Sequence, residues 1–233
     1  MALQYFWYYR PDESFPPNPI VHPEQFGDSD RLNIACTQTP FSASRQKKIV
    51  DAWCDILPKL SNVRLLWFSS RVPQRLFKAA CLAPRLEGLY IKWSGINDLA
   101  PLNKSGQLTY FHLGQSARIS SIEPLGKARQ LRWLGLELLS RVRDVSVIGK
   151  LVGLEGLWLE GSMGTTWRIS TLAPLGTLSS LRYLSVANLR TDDMTLAGLF
   201  PLSNLAVFRA AKWWKPEEID EIRRRNHALA EFH

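Results

Sequence analysis

The sequence predicts an α/β solenoid, a right-handed curved horseshoe with a parallel sheet on its concave face. The prediction rests on an apolar pattern that recurs along most of the chain, on its regular spacing, and on the prolines that interrupt the units. The clearest copy of the unit has three apolar residues in each half. They are Leu86, Leu89 and Ile91 in the first half, and Ile96, Leu99 and Leu102 in the second.

Seven copies align on their first apolar residue, at steps of 22 to 27 residues. The LxxLxL half places alternate side chains of a short strand on one side. The IxxLxxL half turns the chain back under that strand and is too short and proline-interrupted for a long helix. One unit cannot bury its apolar face, so the copies must stack. The seven first positions are Val63, Leu86, Leu108, Leu131, Leu154, Leu181 and Leu205.

Over residues 60–210 this pattern resembles the leucine-rich-repeat superfamily, in particular its short-repeat internalin-like branch. The resemblance implies the horseshoe fold. The chain departs from the family three residues after the third apolar position, where asparagine is usual, so an asparagine ladder is not predicted. The residues at this position are Ser94, Ser116, Leu139, Ser162 and Leu189.

Residues 1–59 are predicted to form an N-terminal cap. The aromatic run at residues 2–9 favours a strand, either covering the end of the solenoid or offering an aromatic docking surface to a partner. Residues 32–36 read as a second strand and residues 42–57 as an amphipathic helix. With the strand at 63–68, they form a right-handed crossover.

The repeats are predicted to occupy residues 60–212, with a second helix opening at Pro73. Residues 213–233 are predicted to be a C-terminal capping helix. Pro216 suits its first turn, and Ile222 is expected to pack on the last repeat.

Two later repeats carry extra residues just after the strand, at 161–167 and 188–193. Both insertions are expected to emerge side by side on one rim, where they are either a binding edge or tolerated loops without a role. The candidate rim residues are Met163, Trp167, Arg190, Asp192 and Asp193.

Composition narrows the class of protein. The 45% hydrophobic content is ordinary for a globular chain, and there is neither an apolar run of membrane-spanning length nor a signal-peptide pattern at the start. The three cysteines are far apart, which favours reduced thiols and a cytoplasmic location. The net charge of +8 suggests nucleic acid, but Lys and Arg are scattered away from the predicted binding face, so this partner is disfavoured.

That face is formed by the strand residues that alternate with the core positions. Aromatic residues gathered among mixed charges are typical of protein–protein interfaces; the alternative is that the rings only stack on one another and stabilise the sheet. Sugars or single-stranded bases are less suited, because stacked bases need basic neighbours. The candidate binding residues are Trp67, Tyr90, Lys92, Tyr110, His112, Trp133, Glu137, Trp158, Glu160, Tyr183 and Arg209.

No catalytic motif is present, and no histidine or cysteine has metal-ligand spacing, so no cofactor or metal is expected. Glu137 and Glu160 fall on adjacent predicted strands, and a carboxylate pair is the minimum for glycoside hydrolysis.

The sequence therefore predicts a non-enzymatic module that binds a protein through the aromatic concave face and the loop rim. The alternatives are an immunity-type inhibitor of a toxin or enzyme, nucleic-acid binding by the basic outer surface, and a glycosidase-like enzyme. The sequence indicates no membrane partner and does not indicate the oligomeric state or the identity of the protein partner.

Overall fold

The repeated LxxLxL segments form short parallel strands. The computed structural model describes residues 15–162 and 164–229, together with the backbone of residues 231–232. The strands are β1 Arg31–Ile34, β2 Leu65–Phe68, β3 Gly88–Ile91, β4 Tyr110–Leu113, β5 Trp133–Glu137, β6 Gly156–Glu160, β7 Trp167–Ile169, β8 Tyr183–Val186, β9 Leu189–Thr191, β10 Val207–Ala210 and β11 Glu231–Phe232.

Nine of these strands make one parallel sheet in the order β1-β2-β3-β4-β5-β6-β8-β10-β11. Equivalent repeat positions are direct register partners: Leu134 of β5 lies opposite Phe111 of β4 and Leu157 of β6. The alignment of copies made from the sequence is therefore the alignment of strands in the sheet, and the predicted solenoid is confirmed.

The second half of each middle unit is a short 3₁₀ helix, as its length and prolines predict. These helices span Ala100–Lys104, Glu123–Lys127, Ser146–Lys150, Ala173–Thr177 and Ala197–Leu199. The apolar residues of both halves are at most 2% exposed and form one continuous core. Burying each such side chain contributes about 1.5–3 kcal/mol.

Serines and leucines occupy the place of an asparagine ladder. The hydroxyls of Ser94 and Ser116 lie 2.6 Å apart in adjacent repeats, and Ser116 also donates to the carbonyl of Gly114. Leu139 and Leu189 extend the apolar core at the same position. The repeats are thus joined at this row by one hydroxyl pair and by packing.

The N-terminal part forms the predicted crossover of β1, helix α1 (Ala43–Ile56) and β2. Ser42 caps α1 by accepting a hydrogen bond from the Arg45 amide. Trp53 of α1 is fully buried, and its indole donates to the carbonyl of Val21. Helix α2 (Gln74–Ala80) follows Pro73, as predicted. The strand predicted at residues 2–9 lies outside the described residues.

Helix α3 (Pro216–Arg225) covers the last repeat. Ile222 is completely buried, and Asn226 just after the helix is 2% exposed. The side chain of Asn226 accepts from the Leu205 amide and donates to the carbonyls of Leu202 and Ile222. The short strand β11, which the sequence analysis missed, follows and pairs with β10. Among the described residues, no helix is long and apolar enough to cross a membrane.

Candidate functional site

Seven of the predicted binding residues lie on one face of the sheet, at the positions that alternate with the core leucines. We call this surface the aromatic face. Its members come from six of the repeats' strands, β2 to β6 and β8. They are Trp67, Tyr90, Tyr110, His112, Trp133, Trp158 and Tyr183.

Glycines let rings of the aromatic face lie across the neighbouring strand. A Cβ added at Gly156 of β6 would come within 2.2 Å of Cε3 of Trp133, and one added at Gly135 of β5 within 2.3 Å of Nδ1 of His112. Each glycine is the register partner of the residue whose ring approaches it. Gly156 lies opposite Trp133, and Gly135 lies opposite His112. The rings therefore occupy space that a side chain would otherwise fill.

The rings form two stacked groups. In the first, Trp67 stacks on Tyr90 and Tyr90 on His112, with centroids 3.4 and 4.4 Å apart, and Trp158 meets His112 edge-on at 5.2 Å. In the second, Trp133 stacks on Tyr183 at 5.1 Å. Such pairs contribute roughly 0.5–1.5 kcal/mol each beyond the area they bury.

This packing corrects the expectation that the whole face is exposed. Four members are buried: Trp67 at 8%, Tyr90 at 4%, Tyr110 at 7% and His112 at 1% exposure. Phe15, itself buried, adds an edge contact to Trp67 at 5.6 Å.

Stacking between strands thus covers much of the ring area, in agreement with the alternative that the rings stack on one another. Trp133, Trp158 and Tyr183 remain half-buried, which leaves part of their surface in contact with solvent.

The two candidate carboxylates are register partners on β5 and β6. Glu160 is 9% exposed; it accepts a hydrogen bond from the Ser185 hydroxyl and lies 3.7 Å from Nη1 of Arg209. Burial raises the pKa of both carboxyls, and for Glu137 the charge of Glu160 adds to the rise. The structure thus brings the pair together, although Glu160 is more enclosed than an exposed binding residue would be.

His112 lies beside this pair. Its Nε2 is 4.0 Å from Oε2 of Glu137, and neither ring nitrogen has a hydrogen-bond partner among the described residues. Burial lowers the pKa of His112 to about 3, so the ring is neutral near pH 7. The hollow between His112, Tyr110, Trp133 and Trp158 measures about 10 Å³, which is the size of one water molecule.

The two predicted basic residues lie at opposite sides of the acidic pair. Lys92 is exposed, and its ammonium lies over the Trp93 ring at 4.8 Å. The side chain of Arg209 is 40% exposed and directed at Glu160. Lys92 is thus on the edge of the aromatic face, whereas Arg209 is part of its polar network.

The two insertions meet on one side of the sheet, as expected, where β7 and β9 form a separate parallel pair. Trp167 was predicted to be a rim residue but is 1% exposed, because it begins β7 and its indole donates to the Val142 carbonyl. Arg190 lies over the Trp213 ring at 4.7 Å. Met163 lies outside the described residues.

The rim aspartates are exposed but engaged. Asp192 pairs with Arg143 and with Arg168, and Asp193 accepts a hydrogen bond of 2.7 Å from the Thr171 hydroxyl. Their contacts stabilise the insertions locally.

Sequence reasoning missed a larger cleft, of about 410 Å³, at the N-terminal repeats. Its residues come from loops that follow separate strands and from the start of α2, and they carry no shared motif, so no pattern in the sequence indicated it. It is lined by Thr37, Gln38, Arg71, Pro73, Gln74, Gly95, Asn97 and Arg118.

The described residues contain no group of three or more His, Cys, Asp or Glu side chains arranged for a metal ion. Cys36 and Cys81 are buried, and burial raises the pKa of each thiol to about 12. These two thiols are therefore packed as small apolar groups.

Comparison with family models and with curated proteins gives no match. Solved structures do match. Internalin C2 of Listeria monocytogenes is 26% identical with a TM-score of 0.47, over 60% of this chain and 56% of its own. A leucine-rich-repeat protein of Leptospira interrogans is 15% identical with a TM-score of 0.58, over 88% of this chain and 50% of its own.

A third match is the Arabidopsis receptor kinase HAESA, solved in complex with the peptide hormone IDA and the co-receptor SERK1. It is 15% identical with a TM-score of 0.52, over 85% of this chain and 33% of its own. This chain thus spans between a third and just over half of the length of these proteins. With the register of the sheet, the likeness establishes that the chain has the leucine-rich-repeat fold.

Proposed function

We propose that the chain is a non-enzymatic protein-binding module whose partner docks on the half-buried part of the aromatic face. One observation carries the proposal: Trp133, Trp158 and Tyr183 lie together on a rigid sheet, beside the carboxylate of Glu137. Large aromatic rings that are already held by stacking lose little entropy on binding, which makes them effective anchors. HAESA, which shares the fold, is solved with a peptide and a protein bound.

The geometry favours binding over glycoside hydrolysis at the same place. The hollow beside the acidic pair holds about 10 Å³, whereas pockets for small molecules usually measure about 300–1,000 Å³. A sugar ring therefore does not fit between the rings as they are packed. We further propose that the chain works in the cytoplasm, where buried thiols such as Cys36 and Cys81 stay reduced.

The test is affinity purification with full-length chain as bait, comparing wild type with Trp133→Ala and Trp158→Ala. Both rings are off the main core, so the variants should stay folded. Recovery of the partner should fall at least roughly thirtyfold, as expected for hot-spot residues.

The matched control is Trp213→Ala, a half-buried tryptophan whose indole donates to Leu189 and which lies off the aromatic face. It should leave recovery unchanged. Equal recovery by the wild type, Trp133→Ala and Trp158→Ala would show that the partner docks elsewhere.

A further inference from the structure

We propose that Glu137 is the anchor for a basic side chain of the partner, so that the aromatic face selects a segment carrying Lys or Arg. This inference rests on the proposed function and names the chemistry that the face recognises. It follows from the hydrogen bonds, the burial and the charges around Glu137.

The carboxylate of Glu137 accepts no hydrogen bond from the described residues. Its side chain is 27% exposed. Nε2 of His112 lies 4.0 Å from Oε2 of Glu137. The ammonium of Lys92 lies over the Trp93 ring and makes no hydrogen bond to Glu137, although its positive charge acts to lower the pKa of this carboxyl. A carboxylate held partly out of water without a donor gains more from an incoming cation than an exposed one does.

His112 supplies an independent sign that hydrogen bonding at this place is incomplete. Its side chain is 1% exposed and has no hydrogen-bond partner at either nitrogen among the described residues. Buried polar groups rarely lack hydrogen bonds in folded proteins. The Nε2 side of the His112 ring is turned to Glu137. A buried polar group without hydrogen bonds therefore lies directly beside the Glu137 carboxylate.

The charges around the site favour a cation over an anion. Glu160, the register partner of Glu137, is already bound by Ser185 and Arg209. Glu137 is the carboxylate of the pair that has no ion pair with a described Lys or Arg, and the charge of Lys92 acts on it only through space, in a chain whose net charge is +8. An acidic segment would be repelled here, whereas an ammonium or guanidinium would be attracted.

The neighbouring rings suit the same ligand. Trp158 is half-buried and meets the His112 ring at 5.2 Å, on the strand next to that of Glu137. A tryptophan face attracts a cation within about 6 Å of its centroid, and the apolar stem of Lys or Arg packs on aromatic surface. The occupant is therefore a basic side chain within an apolar segment of the partner.

The experiment selects phage-displayed random dodecapeptides on the immobilised full-length chain and measures the retained peptides by fluorescence anisotropy. We expect them to be enriched in Lys or Arg next to apolar residues. Glu137→Gln, which keeps the shape and removes the charge, should weaken their binding at least about tenfold.

The matched control is Glu123→Gln, at an exposed glutamate on a 3₁₀ helix away from the sheet. It should leave affinity unchanged. A peptide whose basic residue is replaced by Gln should bind wild type and Glu137→Gln equally, since the coupled pair is then absent from both.

The outcomes separate this inference from the proposed function. If no peptide is retained, this inference fails, whereas the proposed function is still decided by the affinity purification. If peptides bind through Trp133 and Trp158 but lack basic residues, or bind Glu137→Gln as tightly as wild type, only this inference is overturned. Self-association of the chain that Glu137→Gln abolishes would overturn it too, because the occupant would then be a second copy.

Discussion

Replacing Gly156 with alanine tests whether the Trp133 ring lies across the neighbouring strand. The new Cβ would stand 2.2 Å from Cε3 and 2.4 Å from Cζ3 of that ring, whereas carbon atoms in contact are about 3.5–4.0 Å apart. The ring must therefore move by more than about 1 Å, and its stack on Tyr183 limits where it can go. Overpacking of this kind costs roughly 1–3 kcal/mol.

The assay is urea-induced unfolding followed by the fluorescence of the nine tryptophans, which reports the stability of the fold. Gly106→Ala is the control, because a Cβ at that exposed glycine meets nothing within 4 Å; its free energy of unfolding should change by less than about 0.5 kcal/mol.

In a Trp133→Ala background the cost of Gly156→Ala should largely disappear, since the ring that clashes is gone. If Gly156→Ala is as stable as wild type, or equally costly with and without Trp133, the ring does not lie where we describe it.

Two further predictions concern buried polar groups. Because burial lowers the pKa of His112 to about 3 from an ordinary 6.5, only the unfolded chain takes up this proton between those values. Through His112 the folded state should therefore lose about 1.4 kcal/mol per pH unit below about pH 6.5. The raised pKa values of Glu137 and Glu160 act in the opposite direction, so the test is a comparison. In urea unfolding at pH 7, 6 and 5, His112→Phe should lose less stability than the wild type, and equal slopes would contradict this. Asn226→Ala leaves the Leu205 amide and the Leu202 carbonyl without their hydrogen-bond partner and should lower the free energy of unfolding by roughly 2–4 kcal/mol. The measurement is the melting temperature, with the exposed Asn204→Ala as control. An equally small decrease for both variants would show that Asn226 does not hold α3 on the last repeat.

The sequence predicts the sheet well because its signal is a spacing. A strand residue faces one side or the other with a period of two, so the positions of Leu134 and Leu157 determine where Trp133 and Trp158 lie. The repeat step then determines which strands are neighbours. Both facts depend on the backbone, and both are confirmed.

Exposure was harder to predict because it depends on the neighbouring strand. Whether a ring stands out from the sheet or lies flat depends on the residue at its register partner, as Gly156 shows for Trp133 and Gly135 for His112. A glycine opposite an aromatic residue in the next repeat is the signal that could have shown it.

Two other errors have local causes. Trp167 sits in an insertion that reads as a loop, but the insertion forms β7, which carries the ring into the core. Strand β11 has two residues, too few for any periodic pattern, and it is defined by its backbone pairing with β10.

The way in which the sheet ends restricts the kind of partner it can take. At one edge Ile20 bridges to Ile34 of β1, and at the other β11 covers β10. Within the described residues, the bridge covers the end of β1 and β11 covers the first two residues of β10, so each outer strand offers fewer backbone groups to a foreign strand. This partial covering disfavours recognition by β-augmentation and favours side-chain contacts as the means of choosing a partner.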